Sequence, residues 1–288
     1  MTYYAVSLVL LSAFFHASWN YLIKRSDKPE INTFLLSFAG GLIAIPFAVF
    51  EVISTGIPSN AWIYILATVI IHTFYFLFMG KGYKNADLST VYPIARGFGV
   101  GLTPFIAVFF ISEKINFLSG FGIFMIFIGV ITVGLTSIEI KKLKTSKSLK
   151  GVIYALLTGC CISLYSVVDK QAVQFVSPAI LLFFLQFVGA SGMYIFSGIR
   201  RDSVNILSIG VKNYRTVIAG GLFQFLAYFL VLNAYEIGQV SYIAPLREVG
   251  IVIGAILAYF LLKEKITRIK SLGVLMILIG AVIISSLS

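Results

Sequence analysis

Two arginines sit where a chain in lipid should carry none. Arg96 and Arg247 each fall inside an apolar run, and Glu248 follows Arg247 directly. Of the 11 acidic residues, Glu248 alone lies well inside such a run, and Asp169 lies at the end of one. An arginine facing hydrocarbon costs at least about 2.5–3.5 kcal/mol, so these side chains should face a partner or a water-filled cavity. A guanidinium grips a carboxylate or phosph(on)ate through two parallel hydrogen bonds. Two arginines against one glutamate leave a net positive cavity, which predicts an anionic substrate group. Pairing of Arg96 with Glu248 would leave Arg247 for substrate. Arg247 and Glu248 are consecutive and point about 100° apart on a helix, so they cannot both face one partner squarely. The bland alternative is a structural network of Arg96, Arg247 and Glu248 with no substrate role.

Other polar and aromatic residues inside apolar runs are candidates to line the same cavity. These are His16, Trp19, Asn20, His72, Tyr75, Tyr92, Tyr228 and Tyr242, with Tyr165, Gln186, Gln224 and Asn233 behind them. An intramembrane ionisable group is a functional candidate by default, but a lone histidine is as often a hydrogen-bonded packing residue. Tyr3, Tyr4, Trp62 and Tyr64 read as membrane-interface aromatics. The adjacent Cys160 and Cys161 offer neither a disulfide framework nor metal-ligand spacing. There is no HExxH, no pair of in-membrane carboxylates and no GxxxxGK[ST]. An intramembrane enzyme and an ATP-driven pump are therefore disfavoured, and no metal or cofactor is expected. A channel would call for a filter loop or rings of like groups, and neither is visible.

The elements that hold these residues follow from composition. The chain is 59% hydrophobic and 11% charged, against about 25% charged in soluble domains. Its net charge of +11 sits in short gaps between apolar runs, the pattern of membrane flanks rather than of a nucleic-acid binder. Runs long enough to cross a bilayer fall at 3–23, 32–51, 61–80, 88–110, 117–137, 151–169, 178–198, 216–235, 240–262 and 270–287. Solid apolar runs predict helices rather than a barrel. The first run lacks a basic leader and a small-residue cleavage site, so it is expected to be a retained helix.

The polar connector 139–150 divides these ten spans into two sets of five. Residues 75–134 and 228–285 repeat one another. Pro93 matches Pro245, Arg96 matches Arg247, Glu113-Lys114-Ile115 matches Glu264-Lys265-Ile266, Gly122 matches Gly273 and Gly129 matches Gly280. Five is odd, so homologous halves joined head to tail must sit upside down relative to each other. Charge agrees. Outside the spans, every Lys and Arg except Lys114 and Lys170 follows an odd-numbered span. The positive-inside rule puts those connectors in the cytoplasm and both termini outside. Pro93 and Pro245 should interrupt their helices near the membrane centre, the usual mark of a transporter's site. Gly97-x-x-x-Gly101 and Gly250-x-x-x-Gly254 suggest that the fourth and ninth spans cross closely. The expected architecture is all-α and integral to the membrane, with ten helices as two inverted five-helix repeats around a central cavity.

The chain resembles the drug/metabolite transporter superfamily in its EamA-like branch. The resemblance covers essentially all of 1–288 and rests on the ten-helix repeat, the Pro93 and Pro245 helices, Glu113-Lys114 and Glu264-Lys265, and the opening His16–Arg25 segment. It implies EamA-like repeats at 1–144 and 145–288, a basket of helices with the fifth and tenth at the periphery, and alternating access in a multi-pass cell membrane. The expected activity is secondary transport, as an exporter of an amino acid or another small carboxylate or phosphonate. Coupling to protons through Glu248, Asp169 or a histidine is one option and no coupling is another. The runner-up is a carrier of a neutral or cationic compound in which the arginines are structural.

Overall fold

The computed structural model describes residues 1–24, 26, 28–86, 88–135, 146–196, 203–262 and 267–287. In chain order these form α1 (Tyr3–Lys24), α2 (Pro29–Thr55), α3 (Ala61–Asn85), α4 (Leu88–Ile111), α5 (Phe117–Leu135) and α6 (Ser146–Ala172). There follow α7 (Pro178–Phe183), a π-helical turn (Phe184–Val188), α8 (Gly189–Phe196), α9 (Ser203–Lys212), α10 (Tyr214–Ile237), α11 (Val240–Leu246), α12 (Val249–Leu262) and α13 (Arg268–Leu287). Ten segments of the described residues are long and apolar enough to span a membrane, at the places the composition predicts. The seventh is α7, the π turn and α8 in line; the ninth is α11 and α12. The short α9 occupies what the sequence marks only as a connector, because ten residues are too few to register as a span.

Burial is inverted relative to a soluble protein. Phe109, Phe110 and Phe117 lie on the surface while Arg96, Asp169, Arg247 and Glu248 are buried. With no water in the bilayer core, polar groups must find partners within the protein. Many hydroxyls that lack a distant partner bond back to a carbonyl one turn earlier, as Thr73 does to Val69 and Ser191 to Phe187.

Helix packing repeats when the halves are exchanged. α3 packs on α6 as α10 does on α1, and α4 on α6 as α12 does on α1. α5 with α13, and α2 with α7, bridge the two halves. The α5–α13 crossing fixes the relative direction. Gly122 abuts Gly280 and Gly129 abuts Gly273, so the helices run antiparallel; a Cβ on Gly129 would lie 2.7 Å from the Gly273 carbonyl oxygen. Gly122 matches Gly273 and Gly129 matches Gly280 in the repeat, so exchanging the halves maps one contact onto the other. That is the inversion that five-helix halves require.

Two local expectations change. The tight glycine crossing belongs to the fifth and tenth spans, not to the fourth and ninth. Gly97 faces Val130 and Ile131, Gly101 faces Phe127, Gly250 faces Ala13, and Gly254 has open space. α4 does meet the ninth span, but through α11. Only one of the two proline helices is interrupted: α4 runs continuously through Pro93 and Pro104. Gly134 on α5 lies against the Pro93 ring, so the proline is accommodated by a neighbour. Glu264 and Lys265 fall outside the described residues.

Candidate functional site

Pro245 removes one N–H from the helical ladder of the ninth span. Two residues later the helix stops, and Arg247 and Glu248 form a turn between α11 and α12. Hydrogen bonds across the turn tighten to three-residue spacing: Glu248 N to Pro245 O at 2.9 Å, Gly250 N to Arg247 O at 2.9 Å and Ile251 N to Glu248 O at 2.8 Å. A short 3₁₀ interruption in mid-span often marks a functional hinge. It also separates two consecutive charged side chains.

Glu248 turns to α4. Arg96 donates from Nε to Glu248 Oε2 at 3.2 Å and from Nη2 to Oε1, a two-pronged ion pair. Arg247 turns the other way, its guanidinium 5.3 Å from the centre of the Tyr228 ring. Arg247 Nε is buried and has no hydrogen-bond acceptor. The pairing thus leaves Arg247 as the arginine with donors to spare.

Two cavities meet here. The larger, about 470 Å³, runs from helix ends at Tyr21, Ile23, Thr33, Tyr83 and Lys270 down to Arg96. His16, Trp19, Asn20, Tyr75 and Tyr92 also line it. The smaller, about 60 Å³, contains Arg247, His72, Tyr165, Gln186, Gln224 and Tyr228. His16, Trp19 and Tyr75 line both and form the neck between them. The π turn brings Gln186 to the inner pocket; such turns are rare and favour functional sites. Gln224 donates to Ser37 Oγ at 2.9 Å. The amide oxygens of Gln186 and Gln224 are buried without donors. The inner pocket is therefore lined by a cation and by two amides whose buried oxygens lack donors among the described residues.

Of the candidate residues, His16, Trp19, Asn20, His72, Tyr75, Tyr92, Arg96, Tyr228 and Arg247 line one cavity or both. Glu248 stands behind Arg96, outside either lining. Tyr242 lies elsewhere, its hydroxyl donating to the Lys114 carbonyl at 3.2 Å. Asn20 is tied to the His16 carbonyl at 2.7 Å.

Asp169 changes the charge sum. It is fully buried near the end of α6. Thr68 and Tyr228 donate their hydroxyls to its two oxygens. Two arginines therefore face two carboxylates, and the net positive cavity inferred from three residues becomes balanced among the described residues. The sequence hides this because Asp169 stands at the edge of its span, where a carboxylate ordinarily reaches water.

At the opposite end of the molecule a set of polar contacts joins the two halves. Glu113 accepts from the backbone N–H of Val240 at 2.8 Å and of Ser241 at 2.9 Å, and from the Ser241 hydroxyl at 2.5 Å. Its carboxylate thus caps the N-terminus of the ninth span. Lys170 donates to the Tyr235 carbonyl beside it. Cys160 and Cys161 are free thiols, and no cluster with metal-ligand character occurs among the described residues.

A family model described as the EamA-like transporter family matches residues 3–135 and again 149–286. The chain belongs to the EamA-like transporter family. The two matches divide it at the central connector, in line with a duplicated unit, and the family is one of membrane transporters within the drug/metabolite transporter superfamily. A solved structure described only as the crystal structure of a protein shares the fold, with a TM-score of 0.75 at 15% identity over 98% of this chain and 97% of its own. No curated protein matches. The EamA protein is thus a multi-pass membrane transporter with a polar, charge-balanced centre and a cavity open towards one end.

Proposed function

We propose that this EamA protein is a secondary transporter that exports a small carboxylate-bearing metabolite across the cell membrane by alternating access. The observation that carries the reading is Arg247: a buried guanidinium with an unpaired Nε, in a pocket whose amide oxygens also lack partners. A substrate with a carboxylate and a hydrogen-bond donor would satisfy all three. Buried polar groups without partners are costly, so a ligand that completes them gains affinity.

The larger cavity reaches the end that carries the Lys/Arg-rich connectors. By the positive-inside rule that end is cytoplasmic, and the state described is inward-open. Glu113 and Lys170 then hold the outer end shut. The α11–α12 turn, with the substrate group on one side and Arg96 on the other, is placed to couple binding to helix rearrangement.

The lining of Trp19, Tyr75, Tyr83 and Tyr92 around an already paired Arg96 supports a second reading, a neutral or cationic aromatic substrate. Thermal stabilisation of the purified protein across a metabolite panel separates the two, because a ligand of the folded state raises its melting temperature. A carboxylate that stabilises wild type but not Arg247→Ala supports the anion site. A neutral or cationic compound that stabilises both equally overturns it and moves the site to the aromatic neck.

A further inference from the structure

The buried charges balance only while the anion site is empty. Arg96 is neutralised by Glu248. Among the described residues Arg247 has no carboxylate partner, but it lies over the face of Tyr228, whose hydroxyl donates to Asp169. Tyr228 is therefore a physical link between the remaining cation and the remaining carboxylate. An anion arriving at Arg247 makes the occupied centre net negative. Carrying that charge through a low-dielectric interior is costly, and the usual remedy is a proton.

Asp169 is the group placed to accept it. Both oxygens of Glu248 are held by Arg96, so protonating Glu248 would break the ion pair. Asp169 is held by two hydroxyls and, among the described residues, by no cation, and a hydroxyl can turn from donor to acceptor when the carboxyl gains its own hydrogen. A relay leads towards it. His72 Nδ1 lies 3.0 Å from the Thr68 carbonyl and 3.2 Å from the Thr68 hydroxyl. A carbonyl only accepts, so Nδ1 carries the ring hydrogen. The same Thr68 hydroxyl donates onward to Asp169. His72 also lines the inner pocket with Arg247. Among the described residues, the polar groups that face Asp169 are Thr68 on α3 with His72 behind it, Tyr165 on its own helix, Tyr228 and Tyr235 on α10, and Arg247 at the hinge. Neighbouring Lys170 is engaged by the Tyr235 carbonyl at the closed end.

We propose that Asp169 is a proton-binding site linked through Tyr228 to Arg247, so that an anion at Arg247 and a proton at Asp169 travel together. The step is a plain acid–base exchange: hydronium gives its proton to an Asp169 oxygen and leaves as water, and the reverse occurs when the anion departs. The inference rests on the anion reading of Arg247, but its test needs no substrate.

Infrared difference spectra between pH steps, taken on the full chain in lipid, report the carbonyl band of a protonated carboxylic acid. The expected band is absent in Asp169→Asn. Removing the Arg247 charge with Arg247→Gln imitates its neutralisation by an anion, and the band should then appear at roughly tenfold lower proton concentration. Tyr228→Phe deletes one donor and keeps the ring, so it should shift the band's frequency even if Asp169→Asn fails to fold. The proposal is overturned if no band responds to Asp169→Asn or Tyr228→Phe, or if Arg247→Gln leaves its pH dependence unchanged. Such a failure would leave the anion site standing, since ligand stabilisation is measured independently. A failed ligand screen would equally leave the Asp169 band to be read.

Discussion

Removing one partner of the Arg96–Glu248 pair should harm the protein more than removing both. Breaking a buried ion pair from one side costs about 3–5 kcal/mol, because the other charge is left desolvated and unpaired, whereas replacing both is often close to neutral. The two halves of the cycle differ here. Arg96 lines the larger cavity, so after Glu248→Gln its guanidinium still reaches cavity water, and the low end, about 3 kcal/mol, applies. Glu248 is 1% exposed and lines neither of the two cavities, so Arg96→Gln belongs near about 5 kcal/mol. At about 2–4 °C per kcal/mol these figures correspond to melting shifts of about 6–12 °C and 10–20 °C. The Arg96→Gln/Glu248→Gln double variant should melt within a few degrees of wild type. The assay is thermal unfolding of the four purified proteins in one detergent. If the double variant loses the sum of the two single losses, the pair is not coupled and the reasoning fails.

Arg247→Lys should retain fold and insertion yet bind a carboxylate ligand poorly, by roughly 10-fold or more, because an ammonium cannot reproduce a two-pronged guanidinium contact; ligand-induced stabilisation measures this. Gly129→Ala should cost about 1–3 kcal/mol, since the added Cβ meets the Gly273 carbonyl and the Ile277 backbone, which cannot step aside; a melting curve unchanged from wild type would contradict the close α5–α13 crossing. Glu113→Ala should destabilise the closed end by about 1 kcal/mol through loss of the cap on the ninth span. It should also make a cysteine placed at Val240 more accessible to a water-soluble thiol reagent from the outer side, and unchanged labelling would sink the latch.

Much of this was legible in the residues, for physical reasons. Ten apolar runs predict ten helices because lipid leaves the backbone few alternatives. The odd number of spans in each half and the placement of Lys and Arg predict inverted halves, and the Gly122–Gly280 and Gly129–Gly273 contacts show the antiparallel crossing. Pairing of Arg96 with Glu248 was expected from a close crossing of the fourth and ninth spans at their paired glycines; the pair forms, but those glycines face α5 and α1 instead. What the sequence could not convey is depth and partnership. Asp169 reads as a span-end acid, yet tertiary packing of α3 and α10 buries it. Pro93 and Pro245 look equivalent, but Gly134 receives one while the other opens into a turn. The GxxxG spacing of α4 and α12 serves α5 and α1 rather than each other, because spacing says that a helix can be approached closely and not by what. The π turn that brings Gln186 to the pocket has no local sequence mark.

The central claim is that Arg247 recognises a substrate carboxylate. It is tested most directly by uptake into proteoliposomes of a stabilising carboxylate and of its uncharged carboxamide, with wild type and Arg247→Gln side by side. The account predicts that wild type carries the acid in strong preference to the amide and that Arg247→Gln loses this preference. Equal transport of acid and amide by wild type, or an unchanged preference in the variant, would contradict it.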